Sequence, residues 1–308
     1  MVVTHGALSP HRQRHALTVG NFDGVHRGHA AMLARVVAQA RALGVPGCVL
    51  TFEPHPREFF SPAAAPSRLT RLREKLERFA QAGIERTHVA RFDAKLAGLA
   101  PERFIDDVLV AGLGAAWLLV GRDFRFGAKR AGDFALLERA AARHGFALEA
   151  MPDVAEGGER VSSSAVRAAL KAGDLRGAER LLGHPYAISG RVAHGAKLGR
   201  GLGFPTANIV LRRPPPISGI FVVEVDGYAK GKRAGVASVG RRPTVNPVAI
   251  PLLEVHLFDF DEELYGEHLR VRFLEKLRDE EKYDGLPALQ AAIARDARQA
   301  REFFLKHG

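Results

Sequence analysis

Two histidines three residues apart, inside a glycine-rich string, are the first side chains in this sequence whose types and spacing suggest chemistry. The string is Gly20-Asn21-Phe22-Asp23-Gly24-Val25-His26-Arg27-Gly28-His29. It follows a short apolar run and precedes apolar residues at helical spacing, so it falls where a strand ends and a helix begins. A helix start offers unpaired N–H groups and the positive end of the dipole, which together suit phosphate. Residues three apart share a helix face, so His26 and His29 are placed in the first turn as imidazole donors to charge developing on phosphorus. Taken alone, the pair also reads as capping or surface histidines. Zinc is a third reading, weakened because no third ligand follows at a usual spacing.

A second constellation lies in the last third. Gly195-Ala196-Lys197-Leu198-Gly199-Arg200-Gly201-Leu202-Gly203 is a stretch whose amides can approach phosphate closely, and Phe204-Pro205-Thr206-Ala207-Asn208 follows it. On an extended strand Thr206 and Asn208 point to one face and present neutral oxygens of the kind Mg²⁺ accepts. Glu254 sits on an alternating, half-buried run at 252–258, an odd place for a carboxylate unless it has a partner or a task. An ion pair with an arginine such as Arg241 is the structural alternative.

The elements that must hold these groups come in two grammars. From 16 to 151, strands at 16–20, 48–52, 87–91, 116–121 and 147–151 alternate with helices at 28–43, about 69–82, from Pro101 onward, and about 133–144. This implies an α/β fold with an open parallel sheet covered on both faces, which binds ligands at the carboxyl ends of its strands. Two short helices at 163–171 and 174–182 end at Gly183-His184-Pro185. Beyond them short β-rich runs at 186–192, 220–225, 235–239, 252–258 and 269–273 suggest a small closed barrel, and a helix over 286–305 closes the chain. The domain boundary is placed at 183–185.

Composition narrows the function classes. The chain has 308 residues, 46% hydrophobic and 26% charged, with one cysteine. That suits two compact domains and leaves no intrachain disulfide or Cys-based zinc site. Cys48 is expected to be buried packing. No apolar run reaches the roughly 20 residues that span a bilayer, and no signal segment opens the chain, so the expected location is the cytoplasm. The net charge of +11 is spread over both halves without a Lys/Arg block, which fits polyphosphate ligands better than nucleic acid.

The first string, Gly-x-Phe-Asp-Gly-x-His-x-Gly-His, resembles the phosphate-binding signature of the prokaryotic FAD synthetases, Rossmann-like nucleotidylyltransferases that use His-x-x-His in place of a P-loop. The resemblance continues in order through Thr51-Phe52-Glu53-Pro54-His55-Pro56, Arg68-Leu69-Thr70, Gly121-Arg122-Asp123-Phe124-Arg125-Phe126-Gly127 and Arg160-Val161-Ser162-Ser163-Ser164 with Val166 and Arg167. Gly203-Phe204-Pro205-Thr206-Ala207-Asn208 resembles the riboflavin kinase signature. Its companion blocks are Leu253-Glu254-Val255-His256, Leu264-Tyr265-Gly266 and Leu277-Arg278-Asp279-Glu280.

The resemblance implies a Rossmann-like nucleotidylyltransferase domain over 1–183 that adenylylates FMN to FAD, releasing pyrophosphate, and a small β-barrel riboflavin kinase domain over 184–308. Both would use ATP with Mg²⁺. It implies ATP or phosphate contacts from Gly20, Phe22, Asp23, Gly24, His26, Gly28, His29, Arg160, Ser163, Ser164 and Arg167, and in the kinase from Gly195, Lys197, Gly199 and Gly203. Pro56, Asp123 and Phe124 would meet the flavin. Thr206 and Asn208 would hold the metal, and Glu254 would take the proton from the ribityl 5′-hydroxyl. One departure is Ser238, where the family pattern has asparagine. The implied partners are the small molecules ATP, riboflavin and FMN, with neither nucleic acid nor membrane, and a weak homo-oligomer is left open.

Overall fold

The computed structural model describes residues 1–6, 13–194, 201, 203–228, 231–242 and 250–307. The chain divides into two compact units, one of residues 1–66 with 70–162 and the other of 67–69 with 163–308. Helices α7 (Ser163–Lys171) and α8 (Leu175–Leu182) therefore fall with the C-terminal unit, and α8 packs on its last strand.

The first unit is built on β1 (Val2–His5), β2 (His15–Val19), β3 (Gly47–Glu53), β4 (Arg86–Arg91), β5 (Ala115–Gly121) and β6 (Ala147–Met151). All pair in parallel, in the order β1-β4-β3-β2-β5-β6. Side chains alternate across a strand, and the core divides accordingly. Leu17, Val19, Cys48, Leu50, Leu118 and Val120 pack on one face with Leu109 and Leu137, whereas Ala16, Val49, Trp117 and Leu119 pack on the other with Leu33, Val36 and Phe79. Burial on both faces explains why these strands read as continuous apolar runs. Cys48 is buried and its thiol is pushed up to about 12 by loss of solvent. That makes it an inert packing residue.

Helices α1 (Arg27–Leu43), α2 (Pro56–Phe60), α3 (Leu72–Gln81), α4 (Ala94–Ala97), α5 (Pro101–Arg103) and α6 (Phe134–His144) join the strands. The helix opening at Pro101 is found, and the structure adds two details to the sequence reading and corrects one. The edge strand β1 lies before the first strand read from the sequence. After Pro101 the chain winds as a π-helix over Phe104–Gly112, not as a continuing α-helix. And α1 begins at Arg27, so His26 is its N-cap and not a first-turn residue. A small antiparallel pair, β7 (Ala155–Glu156) and β8 (Glu159–Arg160), ends the unit.

The second unit contains a closed barrel of β9 (Ala187–Ala193), β10 (Ala207–Val210), β11 (Gly219–Asp226), β12 (Arg233–Arg242), β13 (Ile250–Leu257) and β14 (His268–Arg278), ordered β10-β13-β12-β11-β14-β9. Ile209, Phe221, Val223, Ala237, Val239, Leu253, Val255, Val271 and Phe273 are almost fully buried and alternate with the other face. On that other face Val222 and Val236 pack against Ala297 and Ala300 of α9 (Leu286–His307), which closes the chain. Bidentate pairing of Arg278 with the buried Asp296, at 2.9 and 2.7 Å, ties the end of β14 to α9.

Candidate functional sites

Counted from β2, the first sheet runs third, second, first, fourth, fifth, so its strand order reverses between β2 and β5. Ligands of open parallel sheets bind at the carboxyl edge of such a switch point. At this edge the turn after β2 carries the histidine pair, and the turn after β5 carries Asp123 and Phe124.

The turn after β2 is strained and pinned. Phe22 and Val25 take φ of 49° and 41°, a region costly for non-glycine residues and most of all for a β-branched one, and Gly24 takes 88°. Buried Asp23 accepts from the backbone N–H of Thr70 at 3.1 Å and from its hydroxyl at 3.4 Å, while Gly24 N–H donates to Thr70 Oγ1 at 3.0 Å. From α3, Lys75 Nζ donates to the Asn21 carbonyl at 2.6 Å. Thr70 and Asp23 thus close one network, which gives two of the sequence blocks a physical link.

His26 caps α1 by accepting the His29 N–H on Nδ1 at 3.3 Å. A neutral His26 therefore carries its proton on Nε2, leaving that nitrogen as a donor. Its ring stacks on that of His29 with centroids 3.7 Å apart and 16° between planes. Phe22 packs on His29 at 5.0 Å. Burial, then the neighbouring His26, then Lys75 hold the His29 imidazole well below its ordinary value, and its Nδ1 is buried without a hydrogen-bond partner among the described residues. Gly28 makes room for His26, since a Cβ there would stand 3.3 Å from the His26 ring, which would have to shift by a few tenths of an ångström.

The other residues that the resemblance assigns to adenylyl transfer divide into groups. Pro56 opens α2, and Phe124 stacks on Phe126 at 5.5 Å. Arg160 bridges Asp123 at 3.2 Å and Asp153 at 2.9 Å, so its guanidinium is already shared by two exposed carboxylates. Ser163 and Ser164 open α7, and Arg167 donates to the carbonyls of Ser67 at 2.7 Å and Ser163 at 3.2 Å. These last three belong to the second compact unit. Sequence reasoning missed an aromatic cluster beyond β3 and β4, in which Phe59, Phe60 and Phe92 pack mutually at 5.3 to 5.6 Å, with Phe60 63% exposed. Consecutive Phe59-Phe60 at the end of a five-residue helix was the available signal.

In the barrel, register decides what meets what. Glu254 on β13 lies directly opposite Asn208 on β10 and opposite Ser238 on β12. Directly opposed residues share a face, so Asn208, Glu254 and Ser238 form one row on the outer side. The one departure from the family pattern thus stands next to Glu254. Arg241, the structural alternative as its partner, has a side chain outside those described. Asn208 is buried, with Nδ2 donating to the Thr206 carbonyl at 3.1 Å and Oδ1 lacking any partner among the described residues. An orphaned buried oxygen is a costly thing to keep, and a cation would satisfy it. Thr206 precedes it by two residues and is half-buried. Glu280 reaches the same face, for its carboxylate occupies the space a Cβ on Gly240 would fill. Burial first, and then Glu254, push its carboxyl above the ordinary value. Gly203 has φ of 86°; Gly195, Lys197 and Gly199 lie outside the described residues. No cluster of three or more His, Cys, Asp or Glu able to hold a metal occurs among the described residues, nor does a helix long and apolar enough to cross a membrane.

The family model for FAD synthetase matches residues 8–165 and that for riboflavin kinase matches residues 182–304. A bifunctional riboflavin kinase/FMN adenylyltransferase of Escherichia coli is 50% identical over 289 residues, 94% of this chain and 92% of the relative. The Pseudomonas fluorescens protein of the same description is 48% identical over 295 residues, 96% of this chain and 94% of its own. A crystal structure described as a macrolide-efflux protein from Streptococcus pneumoniae is similar over 98% of this chain and 99% of its own, with a TM-score of 0.81 and 27% identity.

Proposed function

The chain belongs to the bifunctional riboflavin kinase/FMN adenylyltransferase family and makes both FMN from riboflavin and FAD from FMN; from that premise we propose which of its residues carry each step. The observation that carries the kinase assignment is the row of Asn208, Glu254 and Ser238 with its unsatisfied Asn208 oxygen. The reading gives residues 1–183 the adenylyl transfer and residues 184–308 the kinase.

In the kinase reaction Glu254 takes the proton from the ribityl 5′-hydroxyl as that oxygen attacks the γ-phosphorus of ATP, and ADP leaves. Thr206 and Asn208 are assigned to hold Mg²⁺, a hard cation that takes neutral oxygens. Bound there, the metal would neutralise phosphate charge as the phosphoryl group transfers. The glycine-rich segment with Gly195, Lys197, Gly199 and Gly203 is assigned to the ATP phosphates.

In adenylyl transfer an FMN phosphate oxygen forms a bond to the α-phosphorus of ATP while the bond to the β-phosphate bridging oxygen breaks, and pyrophosphate leaves. The protein supplies no nucleophile. Its work is orientation and charge stabilisation, done by the amides at the start of α1 within Gly20 to Gly28 and by the two imidazoles. Pro56, Asp123, Phe124 and the exposed aromatic cluster offer flat apolar and polar surfaces suited to an isoalloxazine ring. Arg160, Ser163, Ser164 and Arg167 retain their family assignment as phosphate contacts, with Mg²⁺ as the expected counterion. Consumption of ATP accords with a cytoplasmic setting.

Product chromatography with two variants tests the assignment. Glu254→Gln should lower FMN formation by about 10²–10⁴ while FAD still forms from supplied FMN. Combined His26→Ala and His29→Ala should do the reverse. Loss of the same reaction in both variants would refute the division of labour.

A further inference from the structure

Helix α3 contains none of the residues assigned above, yet two of its side chains reach the turn that carries the histidine pair. Lys75 Nζ donates to the Asn21 carbonyl at 2.6 Å and stands 3.5 Å from Thr51 Oγ1. Phe79, one turn along, meets Phe22 edge-on with centroids 5.2 Å apart. Phe22 in turn packs on His29, and His29 stacks on His26. Both α3 side chains are deeply buried, at 3% and 0% exposure. Burying an ammonium group is costly, and this one is held against the carbonyl of the strained turn.

We propose that Lys75 is a positioning residue of the adenylyl-transfer site, which fixes the Asn21–Phe22 turn from beneath and sets a positive charge behind His29. This rests on the reading of His26 and His29 as phosphate donors in FAD formation. In the free protein burial, then His26 and then this charge keep the His29 ring neutral. Among the described residues the titratable groups acting on His29 are His26 on its own helix and Lys75 from α3, and the nearby Asp23 carboxylate accepts two hydrogen bonds from Thr70. A bound triphosphate reverses the local sign, so ATP binding draws a proton onto His29. An imidazolium then faces the phosphates only when they are present.

The test uses the full chain and two substitutions. Lys75→Met keeps an apolar stem and removes both charge and donor; Lys75→Gln keeps an N–H for the Asn21 carbonyl but no charge. NMR titration of the His29 ring should show its pKa raised in both. Proton uptake on adding ATP, measured calorimetrically in buffers of different ionisation enthalpy, should fall in both. Turnover from FMN to FAD should fall by about 10²-fold in Lys75→Met, as expected for a displaced donor, with a smaller loss in Lys75→Gln. Far-UV circular dichroism and the melting curve of either full-length variant report that the unit holding Lys75 is folded.

An unchanged His29 titration in folded Lys75→Gln would overturn the charge role, and unchanged FAD turnover in folded Lys75→Met would overturn positioning. If Lys75→Met does not fold, the Gln variant alone decides the charge role through the titration. Failure of the underlying reading looks different. The double histidine variant would then still make FAD, and the Lys75 variants would shift the titration without changing the rate.

Discussion

Replacing Gly28 with alanine should separate stability from adenylyl transfer. Gly28 is the second residue of α1, and a Cβ there would lie 3.3 Å from Cε1 and Nδ1 of His26 and 3.8 Å from the Val161 carbonyl oxygen. The first contact requires His26 to yield by a few tenths of an ångström. Its ring has little room, being stacked on His29 at 3.7 Å while its Nδ1 accepts the His29 N–H at 3.3 Å. Two stability terms oppose each other. Alanine is favoured over glycine within a helix by up to about 1 kcal/mol, and weakening the cap costs about 1 kcal/mol. The net change should be within about 1 kcal/mol, a shift of a few degrees in melting temperature. Catalysis has no compensating term. A donor displaced by up to about 1 Å costs on the order of 10²-fold, and a smaller shift costs less, so FAD formation should fall by about 10- to 100-fold. Parallel chromatographic assays of FMN-to-FAD and riboflavin-to-FMN turnover, with a melting curve, measure all three quantities. FAD turnover within about twofold of wild type, a difference of under 0.5 kcal/mol, would refute the claim that the position of these rings carries the reaction. A fall in melting temperature well beyond a few degrees would assign the effect to folding.

Asn208→Ala removes an unsatisfied buried oxygen but also the Nδ2 bond to the Thr206 carbonyl, two opposed effects that should leave the melting temperature within a few degrees of wild type, while riboflavin phosphorylation falls and excess Mg²⁺ does not restore it; a large fall in melting temperature would show that the side chain is structural. Glu280→Gln should stabilise the chain above about pH 4.3, the ordinary glutamate value. Because the folded carboxyl is raised, ionisation is disfavoured by the fold; the gain is absent below the unfolded value, grows as pH rises through the folded value and is constant beyond it. Equal melting temperatures for the two proteins from pH 4 to pH 8 would refute it. A fragment of residues 184–308 should be soluble and phosphorylate riboflavin, but one of residues 163–308 should melt higher, because α8 packs on β14 and buries Leu175, Leu181 and Leu182; equal melting would show that this cover is dispensable.

Much of this was legible because the elements have strong periods. Strands β2, β3 and β5 are apolar throughout, as burial on both sheet faces demands, and the even spacing of the later strands announced a barrel. What escaped depends on distant partners. Strand β1 is only four residues long and mostly exposed, so its identity comes from pairing with β4 more than 80 residues away. The π-helical winding after Arg103 has no sequence signature that distinguishes it from an α-helix. At the first site, spacing brought His26 and His29 together, but their helical register did not show that one caps the other. A lysine on a charged helix reads as solvated; Lys75 is buried only because the turn after β2 lies over α3. At the second site Glu254 stood out as a carboxylate on a half-buried strand, yet register alone reveals Asn208 and Ser238 as its neighbours.

Among the described residues each site keeps a buried polar atom with no hydrogen-bond partner, Nδ1 of His29 in the first and Oδ1 of Asn208 in the second. Such atoms also occur outside the two sites, so what distinguishes these two is their chemistry. Their chemistry differs in the sense the two reactions require. The oxygen attracts a cation, and Glu254 across the register is the acceptor for the proton of an attacking hydroxyl. The nitrogen lies in a ring kept neutral beside positive charge, in a reaction whose attacking FMN phosphate is already anionic and needs no base. A site without a base must hold an anion against an anion, and only fixed positive charge and oriented donors can do that. That requirement explains why the strained turn after β2 is pinned from two directions, by Thr70 and by Lys75: the backbone strain of Phe22 and Val25 is tolerated because the donors must already be in place when the phosphates arrive.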